Sequence, residues 1–122
     1  MRIISFSVLK DKLLEGTKTQ TIRRPRKNPL RVSEMVQIYW KLRSKDRLKL
    51  FNAVITSIDV IKLTKTSENV FISDGFTSKK EALDWFKSKY PKSWTSKFKL
   101  IKFRKLSAFD EWIKNEKWSD KK

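Results

Sequence analysis

Between Glu15 and Arg24 the chain reads EGTKTQTIRR, and Lys18, Thr19, Thr21 and Arg23 place an amine, two hydroxyls and a guanidinium at close spacing. In an extended segment side chains alternate, so Thr19, Thr21 and Arg23 share one face, with Gln20, Ile22 and Arg24 on the other. Ile22 is the apolar member, so its face is the expected core side, and the Thr19–Thr21–Arg23 face points into a cleft or solvent. Hydroxyls beside a guanidinium suit an anion or an amide. Lys18 follows a turn that Gly16 allows to reverse tightly. A lysine desolvated there, or crowded by Arg23, loses basicity. The same residues also fit a plain structural role, Lys18 solvated and Thr21 filling a strand position; Asp74, much farther along the chain, fits the cap of a turn before Gly75.

Composition excludes other chemistries. The 122 residues contain no Cys and no His, which removes disulfide frameworks, the usual zinc sites and every mechanism built on an imidazole. The length fits one domain with a single core, and eight Phe, five Trp and two Tyr supply bulky apolar surface for it. With 30 Lys+Arg against 13 Asp+Glu, the formal charge is +17. A compact domain with that excess repels itself, and a polyanion relieves the repulsion. Nucleic acid is the commonest such partner. A lysine-rich thermophile coat would balance Lys with Glu, which this chain does not. No run is long enough to span a membrane, and MRIISFSVLK is charged too early for a signal peptide. The expected setting is the cytoplasm, without a membrane partner.

The elements that must position these residues follow from periodicity. RIISF (Arg2 to Phe6) reads as a strand. SVLKDKLLEG reads as a helix capped by Ser7, with Val8, Leu9, Leu13 and Leu14 on its apolar face and Gly16 as its stop. TQTIRR is a short strand ending at Pro25, followed by a basic loop. VQIYWKLR alternates, with Val36, Ile38, Trp40 and Leu42 on one face. After the turn SKDR, a strand from Leu48 to about Leu63 should pair antiparallel with it, bulged near Phe51 to Val54 where the alternation changes phase. TSENVFISDGF is irregular or holds one helical turn. TSKKEALDWFKSKYP is a helix with a Ser78–Glu81 capping box and Ala82, Leu83 and Phe86 toward the core. KFKLIKFRKL (Lys97 to Leu106) is a final strand. Ser107 can cap a C-terminal helix with Phe109, Trp112 and Ile113 as its stripe. The expected class is α+β on a small, curved, mostly antiparallel sheet, with residues 1–106 as the domain and 107–122 as a helical extension.

FSVLKDKLLEGTKTQTIRR resembles the N-terminal signature of the ASCH domain, a branch of the PUA-like superfamily, through Leu14, Gly16, Lys18, Thr19, Thr21, Ile22 and Arg23. The Asp74-Gly75-Phe76 turn before a capped helix and the closing strand FKLIKF are similar to further family elements. Two departures stand out: Ser33-Glu34 where the family usually has Gly-Asp, and a segment beyond Leu106. The resemblance implies a PUA-like pseudobarrel with flanking helices and a cleft. It also implies RNA- or nucleotide-related chemistry: RNA binding, ribonuclease activity, or amidohydrolysis of acetylated cytidine. The amidohydrolase triad would fall on Lys18, Thr21 and Asp74, with Asp where such enzymes usually carry Glu. In that triad Lys18 would act as base for the Thr21 hydroxyl, and Asp74 would orient the pair or pass the proton to the leaving amine.

The expected function is therefore binding of RNA or single-stranded nucleic acid in an electropositive cleft lined by Lys18, Thr21, Arg23 and Asp74. The basic loop adds Arg24, Arg26, Lys27 and Arg31, which can clamp a backbone without reading sequence. Trp94 and Tyr39 are the expected stacking residues, while Trp85 and Trp112 are assigned to the core, and Lys97 extends the positive surface. The alternatives are a nuclease working in the same cleft and, third, the nucleoside amidohydrolase. No cofactor is expected; a divalent metal enters only if the protein is a nuclease.

Overall fold

The computed structural model describes residues 1–106. Five strands form one curled sheet: β1 (Arg2–Phe6), β2 (Gln20–Arg23), β3 (Met35–Trp40), β4 (Leu48–Lys62) and β5 (Lys97–Lys105), in the order β1-β3-β4-β5-β2. The sheet is mixed: β1 pairs parallel with β3, and the other three pairings are antiparallel. The proposed C-terminal helix, with Ser107, Phe109, Trp112 and Ile113, lies outside the described residues.

β4 is long because it serves two partners, β3 along its first half and β5 along most of its length. Its register slips twice, at Leu50 opposite Ile38/Tyr39 and at Thr56 between Ile55 and Ser57. The two bulges flank the expected Phe51–Val54 stretch and bend the sheet on itself. The concave face buries Ile4, Phe6, Leu13, Leu30, Ile38 and Phe103 among others. The opposite face of β2 and β5 is covered by helices and buries Ile22, Leu63, Phe71, Ala82, Phe86 and Phe98. β2 is thus enclosed on both sides, so Gln20, Thr21 and Ile22 are all buried. The expectation of one core face and one open face holds only for Thr19, which is exposed.

Three helices attach to this sheet. α1 (Lys10–Glu15) is shorter than expected and Ser7 is not its cap; Leu9 precedes it at φ 61 with no side-chain cap bond. Leu13 is fully buried, whereas Val8 and Leu14 are exposed, so one leucine and not a stripe anchors the helix. Gly16 ends it at φ 82, as a C-terminal glycine should. The segment expected to be irregular folds into a 3₁₀ turn (Leu63–Lys65) and α2 (Glu68–Ser73), which Phe71 pins to the core. α3 (Lys79–Lys89) carries the expected cap, Ser78 Oγ accepting from Glu81 N at 3.1 Å. The Glu81 carboxylate accepts from the Thr77 hydroxyl instead of completing the box at Ser78.

The basic loop between β2 and β3 is tied down. Leu30 is buried in the barrel, and the Arg2 guanidinium donates to Asn28 O at 2.6 Å and Pro29 O at 2.9 Å. Arg2 also binds Glu34 through Nε at 2.7 Å and Nη2 at 2.5 Å. Ser33, at the usual Gly of the resembled family, adopts φ 70, and the longer Glu34 reaches Arg2.

The rim of the cleft depends on glycine. Gly75 sits at φ 112, and a Cβ there would lie 2.3 Å from Leu9 Cδ1, whereas a Cβ at Gly16 would meet open space. Gly75→Ala should cost about 1–3 kcal/mol, and Gly16→Ala about 1–2 kcal/mol. Urea denaturation of both variants checks the order; an equal or smaller loss at Gly75 would show that Leu9 moves aside without strain.

Candidate active site and nucleic-acid interface

The sheet's two edge strands, β1 and β2, meet without a backbone ladder. Arg23 spans the seam with its side chain, donating through Nη2 to Ser5 O at 2.6 Å and through Nε to Thr21 Oγ1 at 2.8 Å. Its guanidinium lies 5.0 Å from the Phe6 ring centroid. Beside it a cavity of about 340 Å³ opens, with Lys18, Thr21, Arg23 and Asp74 among its polar lining. Phe6, Phe76, Trp85, Phe86 and Tyr90 form its aromatic walls. Residues far apart in the chain are therefore brought together: two come from β2, one from the turn before it, and Asp74 from the end of α2.

Lys18 is only 5% exposed. Its Nζ donates to Asp74 O at 2.8 Å and to Asp74 Oδ1 at 3.2 Å, and it sits 5.6 Å from the Phe6 ring centroid. Burial holds the Lys18 amine below its ordinary pKa, Asp74 opposes that effect, and Arg23 adds a smaller downward push. Burial likewise pushes the Asp74 carboxyl up, against Lys18, Gln20 and Arg23. Both members thus shift toward their neutral forms, since desolvation outweighs their attraction. The amine and the carboxyl are displaced in the directions a base and an acid require. The Thr21 hydroxyl is engaged by Arg23, while the amine of Lys18 is held by Asp74.

The remaining sequence candidates are distributed over the surface. Arg24 is exposed, stacks 5.5 Å over Tyr90, and with Arg26 lines a second depression next to the cavity. Lys27 and Arg31 are exposed on the loop beyond it. Tyr39 is half-buried in β3 beside Ser5 of β1. Trp94 packs against the helix-side core under Lys87, whose Nζ is 4.6 Å from its ring centroid. Lys97 is exposed where β5 begins, paired in register with Lys62.

Sequence reasoning missed Trp85. Assigned to the core for lying on a helix, it is 44% exposed and forms part of the cavity wall. It flanks the buried Ala82/Phe86 stripe of α3, and Lys89, one turn later, places its amine 4.8 Å over the ring. That i, i+4 aromatic–lysine spacing was the available signal.

Removing Lys18 should expose the cost of its partner. Lys18→Met takes from the buried Asp74 its direct ion-pair partner and leaves only the smaller pull of Arg23, which costs about 3–5 kcal/mol at neutral pH. Its carboxyl pKa then rises further above the unfolded value. Such a group contributes stability that is complete below the unfolded pKa and is lost as pH rises through the folded pKa. Urea denaturation should therefore find Lys18→Met closer to the native protein at about pH 5 than at about pH 8. Lys18→Met/Asp74→Leu should recover most of the loss. A deficit independent of pH would show that Asp74 is solvated.

No model of a known family matches the sequence, and no curated protein matches it. Solved structures do match in fold. A protein from Enterococcus faecalis described under the family model DUF984 aligns over 79% of this chain and 68% of its own, at 15% identity and TM-score 0.61. The ASCH domain from Lactobacillus crispatus aligns over 85% of this chain and 79% of its own, at 15% identity and TM-score 0.59. At that identity the likeness concerns the path of the backbone. The chain has an ASCH-like fold, an α+β pseudobarrel, in agreement with the motif from Gly16 to Arg23.

Proposed function

We propose that this chain is a small basic nucleic-acid-binding protein that engages RNA or a single DNA strand at the seam between β1 and β2. The observation that carries the reading is the aromatic-walled cavity with polar groups on its lining and cations stacked on its rings. A flat base fits between aromatic faces, and stacking of this kind tolerates any base. The volume lies at the small end of the range for ligand pockets, about 300–1,000 Å³. Lys89 stands over both Trp85 and Tyr90, and Arg24 over Tyr90, so positive charge borders the base position where phosphates would run. The excess of cations in the whole chain supports a polymer over a neutral nucleoside.

A second reading is favoured by the Lys18–Asp74 pair: hydrolysis of a bound strand, with the nucleoside amidohydrolase behind it. Opposite pKa displacements of neighbouring groups are how one site comes to hold both an acid and a base. Incubating labelled strands with native protein and with Lys18→Met, with and without divalent metal, separates the readings. Intact retarded strands favour binding alone; strands cut only by the native protein favour hydrolysis. Turnover of acetylated cytidine, lost in Asp74→Asn, would favour the amidohydrolase.

Stacking and charge separate in titrations. Affinity for single-stranded RNA, followed by fluorescence anisotropy, should fall with salt at a log–log slope of about −0.7 per phosphate contacted. Trp85→Leu should weaken binding about 5- to 150-fold, from about 1–3 kcal/mol of stacking, and leave that slope unchanged. A flat salt dependence, or a Trp85→Leu variant that binds as the native protein does, would contradict the reading.

A further inference from the structure

The depression beside the cavity is a separate feature with a different chemistry. It holds about 630 Å³ and has five cations in its lining: Arg23, Arg24, Arg26, Lys41 and Arg43. Among the described residues no carboxylate lines it, and its floor is apolar, with Ile3, Leu30 and Ile101 contributing. Lys41 and Arg43 were not among the sequence candidates; the fold brings them opposite the basic loop.

Both banks are fixed before any ligand arrives. The loop bank is held by the Arg2 clip to Glu34, Asn28 and Pro29 and by buried Leu30. The other bank curls over the end of β1, with Lys41 N donating to Phe6 O at 2.8 Å and Leu42 N to Ser5 Oγ at 3.1 Å. Ser44 Oγ closes the turn onto Lys41 O at 2.9 Å. Lys41 adopts φ 43, a conformation that costs a non-glycine residue about 1–2 kcal/mol. Glu34, the acid that acts on Arg26, is already bound by Arg2. The result is a trough of positive charge on an apolar floor whose backbone is held in place, so that the exposed side chains are what binding has left to order.

We propose that this trough is a binding site for the phosphodiester backbone of a single strand, distinct from the aromatic cavity and joined to it through Arg23 and Ser5. The inference rests on the nucleic-acid reading above and adds to it the place of the phosphates. Arg23 and Ser5 line both spaces, so a backbone lying in the trough passes the mouth of the cavity. Guanidinium groups on facing banks can take phosphate oxygens in pairs. The ligand is accordingly an oligonucleotide with several phosphates in register, and the trough takes it whatever its bases.

The test uses a single strand of abasic sugar-phosphate units as the probe, beside a base-bearing strand of equal length. Native protein should bind both, the abasic strand more weakly. K41Q/R43Q should make the salt slope for the abasic strand shallower by about 1.4, two phosphate contacts at 0.7 each. K62Q/K65Q removes the same charge at the far end of β4 and in the 3₁₀ turn after it, and should leave the slope nearly unchanged. Equal effects of the two variants, or none from K41Q/R43Q, would overturn the trough in favour of diffuse charge. Binding of the base-bearing strand without the abasic one would overturn it too, while leaving the nucleic-acid reading in place. Failure of both strands to bind would end both.

Discussion

Arg23 does with a side chain what a backbone ladder would do in a closed barrel. The curled sheet brings β1 and β2 to face each other, and the guanidinium ties them by bonding Ser5 O and Thr21 Oγ1 and stacking on Phe6. A ladder would have filled the seam. A long charged side chain leaves room on either side of itself, the aromatic cavity on one side and the basic trough on the other. A partly buried guanidinium needs partners for the donors it turns inward, since an unmet donor inside a protein is costly. That demand fixes Ser5, Thr21 and Arg23 relative to one another, and so fixes the site.

The Lys18–Asp74 pair is the second constraint. It links the turn before β2 to the end of α2, and Gln20 adds a bond to Val70 O at 2.9 Å in the same region. These polar contacts orient α2 against the sheet where apolar packing alone would allow sliding. A buried ion pair is seldom a net gain in stability over well-packed apolar groups. Here the pair stands beside the aromatic walls of the cavity and contributes hydrogen-bonding groups to its lining.

Much of the fold was legible because its determinants are local. The alternation of Val36 and Ile38, the Ser78 cap, the Gly16 stop and the closing strand are each written within a few residues. The parts that were not legible depend on distant contacts. Leu9, at φ 61, packs its side chain against Gly75, far along the chain, a contact that no local pattern around Ser7 reveals. Phe71 turns an apparently irregular segment into α2 by finding the helix-side core. Of the candidate site, the sequence already singled out Lys18, Thr21, Arg23 and Asp74, which line one cavity. The exposure of Trp85 was not legible, because a helical position does not reveal which flank of the buried stripe meets a cavity. Nor were Lys41 and Arg43, which become part of a surface only when the turn after β3 folds over the end of β1.

Adding single-stranded RNA to isotope-labelled protein and following backbone amides, arginine Nε–H groups and the tryptophan indoles by NMR tests the account most directly. Saturable shifts should concentrate at Ser5, Thr21, Arg23, Gly75, Lys41 and the Trp85 indole. Shifts spread over the lysines of β4 and β5, with the Trp85 indole and Arg23 Nε–H unmoved, would mean that the strand meets a general basic surface and that the seam is not the binding site.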